Sequence, residues 1–255
     1  MQKLGYKLTG ILLAVLLSVT GCSGNSKEKH TLRTAGIEQL IAGDYDIAIQ
    51  SFDQALEKSG KLVGTFEVDV LRYRAEAEAG AGDYEAAAHT YQVLCQVDEE
   101  KPEYLYRMSM LHGKMGMISE ALSEYKKAYE NKKEDPEAIQ ALFIVGQALA
   151  DGQRYEEAME LYSQALNGGV QNGELYNRMG LCELEAENYD QALGYFEKGM
   201  LLGDETCRAE LLYHQALVYE KTLDFASALG CLETYAAEFG ATPEIEKEIA
   251  FLKTR

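Results

Sequence analysis

The sequence contains no tryptophan and only 3 prolines among its 255 residues. Folds built from many short strands need more chain-breaking residues than this, whereas long helices need few. Hydrophobic residues make up 47% of the chain and charged residues 26%, which allows a sizeable core and excludes disorder throughout. The composition therefore favours a helical protein of one or two domains.

Positive charge is also scarce. The chain has 24 Lys and Arg against 42 Asp and Glu, which gives a formal net charge of −18. A protein this acidic repels a polyphosphate backbone, so we expect no binding of nucleic acid.

The residue patterns of known reaction chemistry are missing as well. The sequence has no Gly-rich phosphate loop and no Gly-x-Ser-x-Gly nucleophile elbow. Its four histidines are not spaced as zinc ligands. Adjacent carboxylates such as Glu99 and Glu100 are expected on solvated helical faces, where burial does not tune an acid for catalysis. We therefore expect no enzyme, no cofactor and no metal site.

The N-terminus has the order of a secretory signal. Lys3 and Lys7 precede the apolar run at residues 11–17, which is shorter than the ~20 residues of a membrane-spanning helix. The motif Val19-Thr20-Gly21-Cys22 follows and resembles the lipobox of bacterial lipoproteins. The resemblance implies that residues 1–21 are a signal peptide and that Cys22 becomes a lipid-modified N-terminus. An ordinary secretory signal with a chance cysteine is the alternative.

The segment after this motif, residues 22–31, is polar and has no apolar period, which predicts a flexible tether. Nine extended residues would reach roughly 30 Å, so the folded part should work close to the membrane. We predict an exported protein, lipid-anchored to the cell membrane, or to the outer membrane in a two-membrane bacterium. The acyl chains would supply the attachment at about 0.8 kcal/mol per buried CH₂, because anionic headgroups repel the acidic body.

An internal repeat organises residues 32–239. An alanine recurs three residues after an aromatic residue or Ile, at spacings of 39, 34, 37, 34 and 36 residues. A small residue usually lies twelve positions before this alanine and a bulky one four positions after it. The alanines are Ala48, Ala87, Ala121, Ala158, Ala192 and Ala228. We expect the small residues to let two helices approach closely, with the bulky residue filling space beside that contact.

This pattern resembles the tetratricopeptide repeat family, although the tryptophan position of that family is Leu or Tyr here. The resemblance implies an all-α, right-handed α-solenoid of about six helix hairpins. Residues 242–255 add a Thr242-Pro243 helix start and an apolar stripe of Ile245, Ile249 and Leu252. We predict that this segment is a capping helix for the open end of the stack.

The resemblance also implies that the first helix of each hairpin lines a concave groove that binds a protein or peptide. Groove residues would lie 15, 14 and 11 positions before each repeat alanine. The predicted binding residues are Arg33, Arg72, Tyr73, Tyr106, Arg107, Phe143, Gln147, Asn177, Arg178, Tyr213 and His214. Arginine offers a planar fork for carboxylates and carbonyls, and the aromatic rings bury much area at small entropic cost.

We therefore predict a membrane-anchored scaffold or adaptor at the extracytoplasmic face, in a context such as envelope or pilus assembly. One alternative is a self-assembling structural lipoprotein, whose copies meet as a homo-oligomer. An enzyme or enzyme regulator is a second alternative, which the missing reaction patterns disfavour.

Four cysteines remain besides the lipobox cysteine: Cys95, Cys182, Cys207 and Cys231. Each lies in or beside a predicted helix, where cysteine commonly serves as a small packing residue. An exported protein could also oxidise them. Cys207 with Cys231 is the one pair considered for a disulfide, since both belong to the last repeat region.

Overall fold

The computed structural model describes residues 24–59, 62–132 and 134–255. These ranges contain thirteen helices and no strand. The helices are α1 (Gly24–Ala42), α2 (Tyr45–Glu57), α3 (Thr65–Gly80), α4 (Tyr84–Val97), α5 (Pro102–Lys114), α6 (Ile118–Asn131), α7 (Pro136–Asp151), α8 (Tyr155–Asn167), α9 (Gly173–Glu185), α10 (Tyr189–Leu201), α11 (Arg208–Lys221), α12 (Phe225–Phe239) and α13 (Pro243–Leu252). Consecutive helices pair as six hairpins, so the predicted right-handed solenoid with a final single helix is confirmed.

The repeat alanines form the centre of each hairpin. All six are 0% exposed, and each lies near the start of the second helix of its hairpin. The bulky residue one turn later is also buried in every repeat, from Phe52 in the first to Leu232 in the last. The apolar stripe predicted from the repeat spacing is therefore the surface through which the second helix packs.

In the first, fourth and fifth hairpins, the ring of the bulky residue lies directly on a glycine of the preceding helix. A Cβ atom added to Gly36 would lie 2.5 Å from Phe52 Cε1, and one on Gly180 would lie 2.3 Å from Phe196 Cε1. Both distances are far inside van der Waals contact, so a glycine is needed under each of these rings. The expectation that the ring fills space beside the close contact is wrong, because the ring itself makes the contact.

Each hairpin turn holds one residue in the left-handed backbone region, five positions before the repeat alanine. These residues are Gly43, Gly82, Gly116, Gln153, Glu187 and Leu223, with φ values of 83°, 83°, 72°, 58°, 60° and 62°. A non-glycine residue pays roughly 1–2 kcal/mol for this conformation. Half of the turns adopt it without glycine, which indicates that the packing of the two helices imposes the turn geometry.

The predicted tether is helical in its described part. Helix α1 begins at Gly24, and its second turn packs against α3. Lys29 Nζ lies 3.1 Å from Glu67 Oε1 and 4.1 Å from the centroid of the Phe66 ring. The His30 ring meets Phe66 edge-on at 4.7 Å. The tether prediction is wrong for residues 24–31 because charged and ring contacts replace the missing apolar period; residues 22 and 23 lie outside the described ranges.

The Glu67 carboxylate also organises the start of α3. It accepts a hydrogen bond from the Gly64 amide nitrogen at 2.9 Å. Burial alone would raise the pKa of Glu67, but hydrogen bonds from Gly64, Ser59 and Lys29 outweigh it and hold this pKa at about 2. The carboxylate therefore stays ionised and links the first repeat to the second across the pH range in which proteins fold.

Helix α13 covers the end of the stack. Thr242 Oγ1 accepts a hydrogen bond from the Ile245 amide nitrogen at 3.4 Å and so caps the helix N-terminus. Ile245 and Leu252 are buried in one cluster with Ala216 and Leu232 of the sixth hairpin. The prediction of a capping helix is thus confirmed by its contacts as well as by its position.

The four described cysteines are all free thiols. Cys207 and Cys231 do not form the disulfide considered above. Burial raises the pKa of Cys182 and of Cys207 to about 11, so both thiols are neutral and act as packing groups. Within the described ranges, every helix is too short or too polar to cross a bilayer.

The contact between ring and glycine predicts opposite effects for two substitutions in the fifth hairpin. Gly180→Ala should lower the free energy of unfolding by about 1–3 kcal/mol, because the new methyl group overlaps the Phe196 ring. Gly194→Ala is the matched control, since a Cβ there meets nothing within 4 Å. It should raise stability by about 0.5–1 kcal/mol through helix propensity. Urea unfolding measures both, and equal effects would contradict the proposed contact.

Candidate partner-binding groove

The predicted binding residues belong to one side of the stack, formed by the first helices α1, α3, α5, α7, α9 and α11. Positions 18, 15, 14 and 11 before a repeat alanine are spaced as i, i+3, i+4 and i+7, so they share one face of a helix. We call the surface formed by these positions the first-helix face. The predicted residues occupy its three later positions.

A ladder of ion pairs crosses the first-helix face. In each pair, an arginine on one first helix meets a carboxylate on the first helix of the next repeat. The ladder consists of Arg33 with Asp69, Arg72 with Glu103 (Nη2 to Oε1, 3.3 Å) and Arg107 with Glu137 (Nη2 to Oε1, 2.6 Å). These contacts tie the first four repeats together along the face.

The ion pairs of the ladder reduce the availability of these arginines to a guest. Their side chains are 29%, 50% and 37% exposed for Arg33, Arg72 and Arg107, and exposed pairs of this kind are worth about 0–1 kcal/mol each. The sequence suggested that the guanidinium forks are free for a guest carboxylate. Each guanidinium group instead has a contact to one carboxylate of the protein itself, with which a guest carboxylate would have to compete.

The fourth predicted arginine, Arg178, contacts residues of repeats four and five. Arg178 Nε donates to Glu174 Oε1 at 2.5 Å, and its Nη1 donates to Gln147 Oε1 at 2.6 Å. The guanidinium carbon lies 5.3 Å from the centroid of the Phe143 ring. Gln147 in turn donates to Asp151 Oδ1 at 2.7 Å. Three predicted residues therefore form one local network on the first-helix face.

Asn177 and His214 form a polar network between repeats five and six. His214 Nδ1 lies 2.7 Å from Asn177 Oδ1, and Asn177 Nδ2 donates to Glu210 Oε2 at 3.0 Å. Since Asn177 Oδ1 can only accept, His214 Nδ1 carries the proton. Burial lowers the pKa of His214 and favours its neutral form. Asn177 is 2% exposed, so its predicted role as a guest-binding residue is corrected to a structural one.

Tyr106 is also buried, at 0% exposure. Its hydroxyl donates to the Lys132 carbonyl oxygen at 3.0 Å, and its ring packs edge-on against Tyr125 at 5.6 Å. It therefore cannot offer its ring to a guest, because neighbouring elements cover it. Tyr73 is half-buried and stacks on Phe52.

Two depressions open on the first-helix face. One has a volume of about 310 Å³ and is lined by residues that include Gln147, Asp151, Arg178, Leu181 and Glu185. The other has a volume of about 270 Å³ and is lined by residues that include Arg72, Glu76, Glu103, Arg107 and Glu137. Four predicted residues lie in these depressions, and the exposed Tyr213 lies on the sixth repeat.

The carboxylates of the ladder were missed by the sequence prediction. A sequence signal exists for two of the three, because an acidic residue recurs eighteen positions before the repeat alanine in four repeats, whereas Glu137 lies twenty-one positions before Ala158. The four recurring acids are Asp69, Glu103, Glu174 and Glu210. They stand one helical turn before the predicted residues, and their contacts to the neighbouring repeat become visible only in the packed stack.

Comparisons with known proteins agree with this architecture. The tetratricopeptide repeat family model matches residues 33–103 and 106–173. Tetratricopeptide repeat protein 21B of Xenopus laevis is 25% identical over 247 residues, which is 88% of this chain and 18% of that protein. The chain thus spans less than a fifth of the length of this curated relative.

Two bacterial structures share the fold. The C-terminal part of a TPR repeat-containing protein from Cytophaga hutchinsonii matches with a TM-score of 0.69 at 14% identity, over 87% of each chain. A tetratricopeptide repeat protein from Parabacteroides merdae matches with a TM-score of 0.57 at 16% identity, over 90% of this chain and 86% of that one. At these identities the likeness concerns the fold alone.

Buried and exposed residues of the first-helix face should differ in how much their substitution lowers the free energy of unfolding. Asn177→Leu should lower the free energy of unfolding by about 2 kcal/mol, because it leaves Glu210 and His214 without their hydrogen-bond partner. Arg72→Gln should cost less than about 1 kcal/mol, since its ion pair is half-exposed. Chemical denaturation of both variants checks this, and a larger cost for Arg72→Gln would contradict the assignment.

Proposed function

Because the chain belongs to the tetratricopeptide repeat family, we propose that it is a non-catalytic scaffold whose first-helix face binds an extended segment of a partner protein. The observation that carries this proposal is the pair of depressions on that face, of about 310 and 270 Å³. Each is lined by polar groups together with a buried tyrosine, Tyr162 in one and Tyr91 in the other. Such a surface can take successive side chains of one peptide.

The charge left on this face favours a cationic segment. The ladder arginines are neutralised by carboxylates of the protein itself. In the described part of the chain, Glu76 and Glu185 make no ion pair, and each lines one of the depressions. The Lys or Arg side chains of a guest would form ion pairs with these carboxylates, whereas an acidic guest would have to break existing ion pairs of the protein.

We further propose that the scaffold works at the extracytoplasmic membrane face, held by lipid on Cys22. Helix α1 begins at Gly24, so one residue, Ser23, separates it from the lipid-modified cysteine, and the two Cα–Cα steps reach roughly 7 Å. The first repeat would then lie against the membrane surface. A scaffold held in this way suits a role in envelope or pilus assembly.

Site-specific photo-crosslinking in cells tests the binding face. A crosslinking amino acid at Gln147 or Tyr213 should capture the same partner, because both residues are exposed on the first-helix face. The exposed Glu156 on α8 is the control position and should give no such adduct. Glu76→Lys with Glu185→Lys should reduce the captured amount about tenfold or more, and Glu156→Lys should not. Adducts of equal strength at Glu156, or none at Gln147 and Tyr213, would overturn the proposal.

Membrane fractionation tests the anchor separately. Cys22→Ser should move the protein from the membrane fraction to the soluble fraction, because the acyl chains supply the attachment. Cys95→Ser is the control and should stay with the membrane, since Cys95 is a half-buried packing residue. A Cys22→Ser variant that still sediments with membranes would refute the lipid anchor and leave the groove proposal intact.

A further inference from the structure

A cavity of about 510 Å³ lies between helices α4, α5 and α6, and none of the predicted groove residues lines it. Three of the eight methionines and two of the four histidines of the chain line this cavity. They are Met108, Met115, Met117, His89 and His112. Packing alone does not require this concentration of thioether and imidazole groups around one cavity. Both groups are metal ligands.

The spacing along α5 brings three of these side chains together. Met108, His112 and Met115 stand at i, i+4 and i+7, so they occupy successive turns of one helical face. Neighbours at such spacings have Cβ atoms about 5–6 Å apart. The two flexible thioethers therefore flank the imidazole from the turn before and the turn after it. Met117 follows at the turn between α5 and α6 and is 40% exposed.

The His112 ring is oriented as a metal-binding histidine would be. Its Nδ1 lies 2.7 Å from Glu124 Oε2, and the two side chains are only 14% and 16% exposed. An ionised carboxylate can only accept, so Nδ1 carries a proton, and Nε2 offers its lone pair in the neutral tautomer of this ring. Nε2 has no hydrogen-bond partner among the described residues. Histidine ligands of metals commonly donate their other nitrogen to a carboxylate in this way.

We propose that this cavity binds one Cu(I) ion through Nε2 of His112 and the thioether sulfurs of Met108 and Met115. Thioethers are soft, uncharged ligands that select Cu(I) over zinc or the hard divalent ions. Within the described ranges, His, Cys, Asp and Glu side chains do not gather in any group of three that could hold a metal. A zinc site of the usual ligand types is therefore not formed, and the methionines decide the choice of metal.

The proposal departs from the expectation that the chain has no metal site. That expectation considered only the spacing of histidines and cysteines. Met108 and Met115 also pack against a core cluster that contains Tyr91 and Leu111. A role in packing alone would predict no affinity for copper, and the experiment separates the two roles.

Competition with a colorimetric Cu(I) chelator, under reducing and oxygen-free conditions, tests the site on the purified full-length protein. Met108→Leu with Met115→Leu should weaken Cu(I) binding by on the order of tenfold to a hundredfold. Met159→Leu with Met200→Leu is the matched control, because these two methionines are also half-buried but lie in other clusters. Leucine nearly conserves methionine volume, so both variants should keep the fold. The cysteine thiols are the same in every variant and cannot produce the difference.

X-ray absorption at the selenium edge supplies a second measurement that does not depend on any variant. In protein labelled with selenomethionine and loaded with Cu(I), a copper neighbour should appear around selenium, which cysteine binding cannot produce. The same protein loaded with Zn²⁺ should show none. Equal Cu(I) affinity in the two double variants, or a selenium spectrum without copper, would overturn the proposal. The groove proposal stands or falls separately, because its residues do not line this cavity.

Discussion

The close contact of a bulky side chain with a small residue inside each hairpin, a ring on a glycine in three of them, is the constraint on which the rest of the structure depends. Gly36 under Phe52 and Gly180 under Phe196 let the two helices approach until the ring covers backbone. The short distance between the two helices determines the geometry of the turn that joins them. One turn residue therefore adopts the left-handed conformation even where it is Gln153 or Leu223. Because the hairpins repeat one packing pattern, stacking them places neighbouring first helices side by side. The ion-pair ladder is a consequence of that stacking, since Arg33 and Arg72 meet an acid one helical turn earlier on the next first helix and Arg107 meets one two turns earlier.

The ladder determines the electrostatic character of the first-helix face. In a chain of net charge −18, four arginines on this face could have made it locally positive. Each instead pairs with a carboxylate of the stack, and in the described part of the chain Glu76, Asp151 and Glu185 line the depressions without an ion pair. The individual pairs contribute little to stability because they are half-exposed. In the proposed binding mode their larger effect is on specificity, since an acidic guest would have to compete with them and a basic guest would pair with the remaining carboxylates.

The architecture could be predicted from the sequence because the same pattern of small and bulky residues recurs in six repeats. A single Gly or Ala twelve positions before an alanine means little, but its recurrence indicates a packed hairpin whatever the other residues are. The site could be predicted only in part, because burial on the first-helix face depends on the neighbouring repeat. Tyr106 and Tyr73 occupy nearby positions in their repeats, yet one is covered and the other is half-buried. The start of α1 was missed for the same reason, since its polar residues are ordered by Phe66 and Glu67, which lie more than thirty positions away.

Helix α5 connects the two proposed binding surfaces. Arg107 faces α7 through its pair with Glu137, whereas the next residue, Met108, lines the cavity shared with α4 and α6. Neighbouring residues on a helix point about 100° apart, so one helix serves both surfaces without sharing a side chain between them. A globular protein of this size would bury one of these sides in its core. A solenoid buries mainly the stripes between hairpins, and it therefore leaves part of the first-helix face exposed for the proposed peptide and the methionines of α5 at the cavity proposed for an ion.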